Sequence, residues 1–162
     1  MLRALPALAL LLAGGICCAA ESVLPIRAMD PLLGSWKCEG VFPISGKRIA
    51  STLRLESSLG GAVVLKHHDD LPPSTYRALE TWAYDAKAGQ FRAAVVDGSG
   101  GMRLFSAPGW EGDTLTWTSA PDVQPAQKFI YVREAGGALR VDWQIMRGNQ
   151  FVVGDTLTCK RQ

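Results

Sequence analysis

The residues best suited to chemistry stand together at His67-His68-Asp69-Asp70, a run that combines imidazole and carboxylate groups. Such groups ligate divalent metals or act as general acids and bases. Neighbouring side chains of an extended strand point to opposite faces, so His67 and His68 are not expected to chelate one ion. We therefore expect no metal site, and interpret the run as a solvated strand end.

Nucleophilic catalysis finds little support in the sequence. The serines, such as Ser99 and Ser106, have no nucleophile-elbow context, and neither histidine is placed for a triad. Gly98-Ser99-Gly100-Gly101 joins two predicted strands and opens no helix, so it lacks the geometry of a phosphate-binding loop. We expect no catalytic residues, no cofactor and no enzymatic activity.

Two of the four cysteines, Cys38 and Cys159, lie near the two ends of the chain that follows the N-terminal segment. In an oxidising compartment the simplest interpretation is a disulfide between them, with two buried free thiols as the alternative. The disulfide would close a loop of 121 residues. Loop entropy sets its contribution at no more than about 4–5 kcal/mol.

The first twenty residues, Met1–Ala20, have the pattern of a secretory signal peptide. A positive Arg3 precedes the apolar run Leu5–Ile16, and small residues lead to a cleavage position before Glu21. A lipid anchor on Cys17 or Cys18 is the alternative, although the residues before them fit a lipobox poorly. The sequence thus predicts a signal peptide over 1–20, a domain over 21–162, and a periplasmic or secreted bacterial protein.

The composition and net charge of the chain limit the classes of partner that it could bind. The chain has 162 residues, 48% hydrophobic and 20% charged, which is typical of one globular domain. Its 17 Lys and Arg against 15 Asp and Glu leave a net charge of +2. Removal of the signal would leave 142 residues and a charge of +1. This balance indicates no nucleic-acid partner. No later segment is long enough to span a membrane, and we expect a monomer or weak dimer.

The rest of the chain consists of short runs with period-2 alternation, bounded by Gly, Pro, Asp or Ser, and only Leu24–Leu33 could form a helical turn. Most connections are too short for parallel crossovers, so the strands must pair antiparallel in sequence order. Two connections are longer, Asp69–Thr75 and Ser119–Ala126. The predicted strands are 34–42, 48–57, 62–68, 76–84, 90–97, 101–106, 113–118, 127–134, 138–146 and 150–160.

About ten hairpin-linked strands leave two exposed edges, which closure into an up-and-down β-barrel removes. If charged residues face outward, alternation assigns the opposite parity to the interior. Cys38 and Cys159 then both point inward, on the first and last strands, which must meet in a closed sheet. Two strands cannot be assigned in this way, because a charged and an aromatic residue fall on the same face: Glu80 and Trp82 on the fourth strand, and Arg133 and Tyr131 on the eighth. The other inward residues are predicted to be Trp36, Phe42, Leu53, Leu55, Val63, Leu65, His67, Phe91, Ala93, Val95, Met102, Leu104, Leu139, Val141, Trp143, Ile145, Phe151, Val153 and Leu157.

The predicted interior is rich in aromatic residues, which either fill the barrel or line a cavity for an apolar ligand. The candidate cavity residues are Trp36, His67, Phe91, Trp117, Trp143 and Phe151.

The run Gly34-Ser35-Trp36-Lys37-Cys38-Glu39-Gly40 resembles the Gly-x-Trp strand of calycins, the lipocalin-like barrels, and more distantly that of nitrobindin-type haem-binding barrels. The segments from Trp82 to Phe91, from Val96 to Gly101 and from Gly112 to Trp117 resemble the DUF1579 family of small bacterial proteins of unknown function. The resemblance implies a calycin-like barrel and carries no activity. Nitrobindin-type haem ligation uses a histidine in the C-terminal part, and this chain has none beyond His68.

The leading functional hypothesis is therefore a non-catalytic module that binds a small apolar or amphipathic molecule inside the barrel. The alternative is a protein-interaction or inhibitor module that acts through the loops 69–75 and 119–126.

Overall fold

The structure is a computed structural model and describes residues 24–162. The predicted signal peptide, Met1–Ala20, and the cysteines of the alternative lipid anchor lie outside the described residues. The described residues form eleven strands: β1 (Gly34–Phe42), β2 (Lys47–Ser58), β3 (Val63–Asp70), β4 (Arg77–Asp85), β5 (Gln90–Asp97), β6 (Met102–Ala107), β7 (Trp110–Glu111), β8 (Thr114–Ser119), β9 (Gln127–Arg133), β10 (Leu139–Arg147) and β11 (Gln150–Arg161).

Ten of these strands close into one antiparallel barrel, as the sequence predicts. Consecutive strands pair from β1 to β6 and from β8 to β11, and the barrel closes where β1 pairs with β11 and β6 pairs with β8. Among the strands of residues 24–162, the two-residue β7 pairs with β8 alone. Closure satisfies the edge hydrogen bonds that an open sheet would leave exposed.

A 3-10 helix, Pro25–Leu32, covers one end of the barrel and is longer than the single turn expected there. Its buried residues Ile26, Met29 and Leu32 pack into the barrel core. The indole nitrogen of Trp36 donates to the Leu32 carbonyl oxygen at 2.9 Å, which ties the helix to β1. Two three-residue 3-10 turns, Leu59–Gly61 and Ala135–Gly137, complete the helical content of the described residues, where no helix has the length and apolar character needed to cross a bilayer.

The predicted disulfide between Cys38 and Cys159 is confirmed. The two cysteines are direct cross-strand partners on β1 and β11, and both are completely buried. The bond therefore fastens the first barrel strand to the last.

Strand β3 reverses the predicted orientation. The prediction placed Val63, Leu65 and His67 inside, but Val64 and Lys66 are the buried residues. Lys66 turns inward because Glu80, its cross-strand partner on β4, is also buried and supplies a counter-charge at 2.6 Å. A charged side chain does not mark the outer face when its partner is an opposite charge.

The orientation of strand β6 is also opposite to the prediction, again because a charged side chain that points inward has an opposite charge as its partner. Met102 and Leu104, predicted inside, are 69% and 47% exposed, whereas Phe105 and Ala107 are buried. Arg103 points inward because Asp97 accepts a hydrogen bond from its guanidinium at 3.1 Å.

Strand β11 changes face along its length. A β-bulge pairs Trp143 of β10 with Asp155 and the next residue, Gln144, with Val153, so Gly154 is the extra residue. Leu157 and Cys159 point inward as predicted. Before the bulge the parity shifts by one, so Phe151 and Val153, both predicted inside, lie on the outer face.

Candidate functional site

The barrel interior is divided into a solid half and an open half. Next to the 3-10 helix, aromatic rings fill the barrel: the Trp82 ring lies 5.1 Å from Trp117 and 5.5 Å from Tyr131 between centroids. At the other end, where β1 finishes and β2 begins, the side chains leave a cavity of about 240 Å³. It is lined by Phe42, Ile49, Leu53, Lys66, His68, Asp70, Ser74, Tyr76, Arg103, Phe129, Val141, Trp143, Asp155 and Leu157.

Of the six predicted cavity residues, only Trp143 lines this cavity. Trp36, Phe91 and Trp117 point inward but belong to the packed core. The other two lie on the outer face. The His67 imidazole is 3.8 Å from Glu56, and the Lys128 ammonium lies 4.3 Å from the Phe151 ring centroid.

The floor of the cavity contains a buried ion pair. Lys66 Nζ donates to Glu80 Oε1 at 2.6 Å, and Glu80 Oε2 accepts from Trp82 Nε1 at 2.9 Å. Burial opposes the charged form of Lys66, but Glu80 and Tyr131 together outweigh this effect and raise the pKa of the lysine. Burial also raises the pKa of Tyr131, whose ring centroid is 5.6 Å from Lys66 Nζ. Lys66 is therefore a cation with its own fixed counter-ion.

One wall carries a hydrogen-bonded carboxylate, Asp70. It accepts from Ser51 Oγ and Ser74 Oγ, each at 2.6 Å, and lies 3.1 Å from His68 Nε2. Burial alone would raise the pKa of Asp70, but the hydrogen bonds from His68, Ser51 and Ser74 lower it. Ser74 belongs to the predicted interaction loop Asp69–Thr75, so this loop lies at the cavity rim.

A second polar group joins β6 to β9 and β10. Arg103 donates to Asp97 at 3.1 Å, to Gln127 at 3.2 Å and to the Tyr76 hydroxyl at 3.3 Å. Gln127 also accepts from Trp143 Nε1 at 3.2 Å, which holds the indole against the cavity. The other predicted interaction loop, Ser119–Ala126, leads directly into Gln127, so it also lies at the open end.

Asp155 is the polar lining residue that has no hydrogen-bond partner among residues 24–162. It faces the cavity from β11, opposite Trp143. Burial, together with the nearby carboxylates of Asp70 and Asp142, raises its pKa to about 7, while Lys66 opposes this shift. The carboxyl group therefore changes charge near neutral pH.

Five polar cavity residues lie outside both the predicted cavity set and the predicted loops: Lys66, His68, Tyr76, Arg103 and Asp155. The sequence does indicate an inward position for Asp155, because strand alternation puts it on the same face as Leu157 and Cys159. For Lys66 the signal was indirect: Glu80 falls on the parity of Trp82, which suggests an inward charge that needs a partner.

Trp143 reaches the cavity because residue 154 has no side chain. A Cβ atom on Gly154 would lie 2.3 Å from Cε3 and 2.5 Å from Cζ3 of the indole. We expect Gly154→Ala to displace the ring and lower the free energy of unfolding by about 1–3 kcal/mol. Urea denaturation, monitored by tryptophan emission, measures this change in the free energy of unfolding.

The matched control for this substitution is Gly98→Ala. A Cβ atom there would meet its nearest neighbour, the Arg77 carbonyl oxygen, at 3.7 Å, which is ordinary contact. We expect a change within about 0.5 kcal/mol for this variant. Equal stability of the two variants would show that the Gly154 site can relax around the methyl group.

Among the described residues, no group of three or more His, Cys, Asp or Glu side chains is arranged to hold a metal ion. A scan against protein-family models and a search of curated proteins find no match for this chain. The cavity and the charges around it are therefore the features that bear on function.

Proposed function

We propose that the protein is a non-catalytic binding module that holds one small amphipathic molecule in the cavity at the open end of the barrel. The observation that carries this proposal is a concave interior space of about 240 Å³ with both apolar walls and buried polar groups. Ligand sites commonly combine a mainly apolar lining with a few polar groups that orient the ligand.

The size of the cavity limits the ligand. An apolar cavity of ~150 Å³ holds benzene, and pockets for drug-sized molecules measure ~300–1,000 Å³. The cavity lies between these values, so it suits a single substituted ring or a short branched chain. Phe42, Leu53, Phe129 and Trp143 form the apolar surface that would cover the body of such a ligand.

We also propose that the chain is exported before it binds. The disulfide between Cys38 and Cys159 supports this, since such bonds persist mainly in oxidising compartments. The pattern of Met1–Ala20 supports it independently.

The binding proposal is tested by filling the cavity. Ile49 lines it, and we expect Ile49→Trp to occupy the space and to reduce the affinity for single-ring aromatic probes such as 2-phenylethanol by at least about tenfold. The matched control is Ile44→Trp, at a position that is 72% exposed and outside the cavity. Ligand-observed NMR and calorimetry on the oxidised protein measure binding.

We expect the wild type and Ile44→Trp to bind equally well. Absence of binding by every single-ring probe to the wild type, or equal binding by Ile49→Trp, would overturn the proposed site.

A further inference from the structure

Asp155 differs from the other acidic groups at the cavity because it has no hydrogen-bond partner among residues 24–162. Only burial and the charges of Asp70, Asp142 and Lys66 act on its carboxyl group. It nevertheless faces the cavity, directly across the sheet from Trp143. A partly buried carboxyl group without a donor from the protein must take its hydrogen bonds from water or from a ligand.

Each basic group that lines the cavity already has an acidic partner. Lys66 lies 2.6 Å from Glu80, Arg103 lies 3.1 Å from Asp97, and His68 lies 3.1 Å from Asp70. The guanidinium nitrogen of Arg103 that lacks a partner, Nε, is itself buried. The three contacts therefore leave Asp155 as the cavity acid without a basic partner.

This balance favours a positively charged ligand. When Asp155 is ionised, Lys66 and Arg103 face four carboxylates: Asp155 and the three acids already paired. An anionic ligand would be repelled by Asp155 and would have to compete with Glu80 or Asp97 for a cation. A cationic ligand would instead neutralise the Asp155 carboxylate, which has no counter-charge of its own in the cavity.

The cavity walls support the same conclusion. Phe42, Tyr76, Phe129 and Trp143 all line the space into which Asp155 points. Aromatic faces attract cations, and this attraction is strongest where water is excluded. The same rings cover the apolar part of a ligand, so the site suits a molecule that combines a ring with a charged amine.

We propose that the cavity selects protonated amines with a single ring, of the arylalkylammonium class, and that the Asp155 carboxylate is the group that recognises the ammonium. This inference rests on the proposed function and names its ligand class.

The pH dependence follows from Asp155. Because its pKa lies near 7, an ammonium ligand must displace a proton from the carboxyl group below neutral pH. We expect the affinity to rise by roughly 30-fold between pH 5.5 and pH 8, over which the ionised fraction of such a carboxyl rises from about 3% to about 90%. The titratable groups that line the cavity with Asp155 are Lys66, His68 and Asp70 on β3, Tyr76 just before β4 and Arg103 on β6. Asp142 on β10 does not line the cavity, but its charge also acts on Asp155.

The experiment compares three probes of nearly equal shape: 2-phenylethylammonium, neutral 2-phenylethanol and anionic phenylacetate. Calorimetry on the oxidised protein at pH 8 should show the ammonium bound at least about tenfold more tightly than the alcohol, and phenylacetate bound weakest. In Asp155→Asn we expect the ammonium to lose its advantage over 2-phenylethanol and most of its pH dependence. His68→Gln separates any contribution of imidazole protonation, and exposed Asp122→Asn is the matched control.

The possible failures are distinguishable. Equal binding of all three probes, or tighter binding of phenylacetate, would overturn the preference for amines and leave the proposed cavity function intact. The preference would also be overturned if Asp155→Asn bound 2-phenylethylammonium like the wild type. Absence of binding by all three probes would overturn both proposals.

Discussion

Replacing Lys66 by methionine is expected to lower the free energy of unfolding by about 3–5 kcal/mol. Lys66 and Glu80 are both almost completely buried, and their charged atoms are 2.6 Å apart. The substitution leaves the Glu80 carboxylate inside the barrel without its cation. Trp82 Nε1 remains as a neutral donor to that carboxylate, which compensates only in part. Urea denaturation at pH 7 measures the loss.

A double-mutant cycle separates the ion pair from simple packing. When Lys66→Met is combined with Glu80→Gln, no charge of the pair remains buried, and the introduced amide oxygen can still accept from Trp82. We therefore expect the double variant to lose less stability than the sum of the losses in Lys66→Met and in Glu80→Gln, which is the signature of a coupled pair.

The matched surface control is the pair Arg54 and Glu56, whose side chains are 53% and 42% exposed. Glu56→Gln should cost less than about 1 kcal/mol because solvent screens this pair. If Lys66→Met proved as mild as Glu56→Gln, the buried pair would not be essential to the barrel.

The second large effect is expected on removal of the disulfide. The bond closes a loop of 121 residues between β1 and β11. Replacing Cys38 and Cys159 together by alanine should reduce the free energy of unfolding by about 2–5 kcal/mol, since the unfolded chain regains its freedom. Urea denaturation of the oxidised wild type and of the double variant measures the difference.

Reductant provides the control. With the thiols kept reduced, we expect the wild type to approach the double variant to within about 1 kcal/mol, the remainder being packing. The double variant itself should not respond to reductant. An unchanged urea midpoint on reduction of the wild type would contradict a stabilising role for the bond.

How far the sequence predicts this structure can be judged strand by strand. Hairpin turns such as Gly148-Asn149 and period-2 alternation predict the antiparallel barrel, and these are local properties. The inward positions of Cys38 and Cys159 follow from the same alternation. Strand β3 shows the limit of that method, because whether Lys66 faces in or out depends on Glu80, fourteen residues further along the chain.

The bulge at Gly154 shows a second limit. One extra residue in β11 reverses the faces of the strand residues 150–153 that precede it, so Phe151 leaves the interior and packs near Lys128. The turn-like pair Gly154-Asp155 is visible in the sequence, but nothing local distinguishes a bulge from a continuous strand.

Turn chemistry and alternation act between near neighbours, so the sequence was enough to predict the antiparallel all-β barrel and the cysteine pair that joins its ends. Which charges enter the barrel, and where it stays open, became apparent only in the folded structure. Lys66, Arg103 and Asp155 face inward because of partners on other strands or because of strand register. The free energy of burying a charge depends on those distant contacts. The cavity and the unpaired carboxyl group of Asp155 therefore form only when the barrel closes.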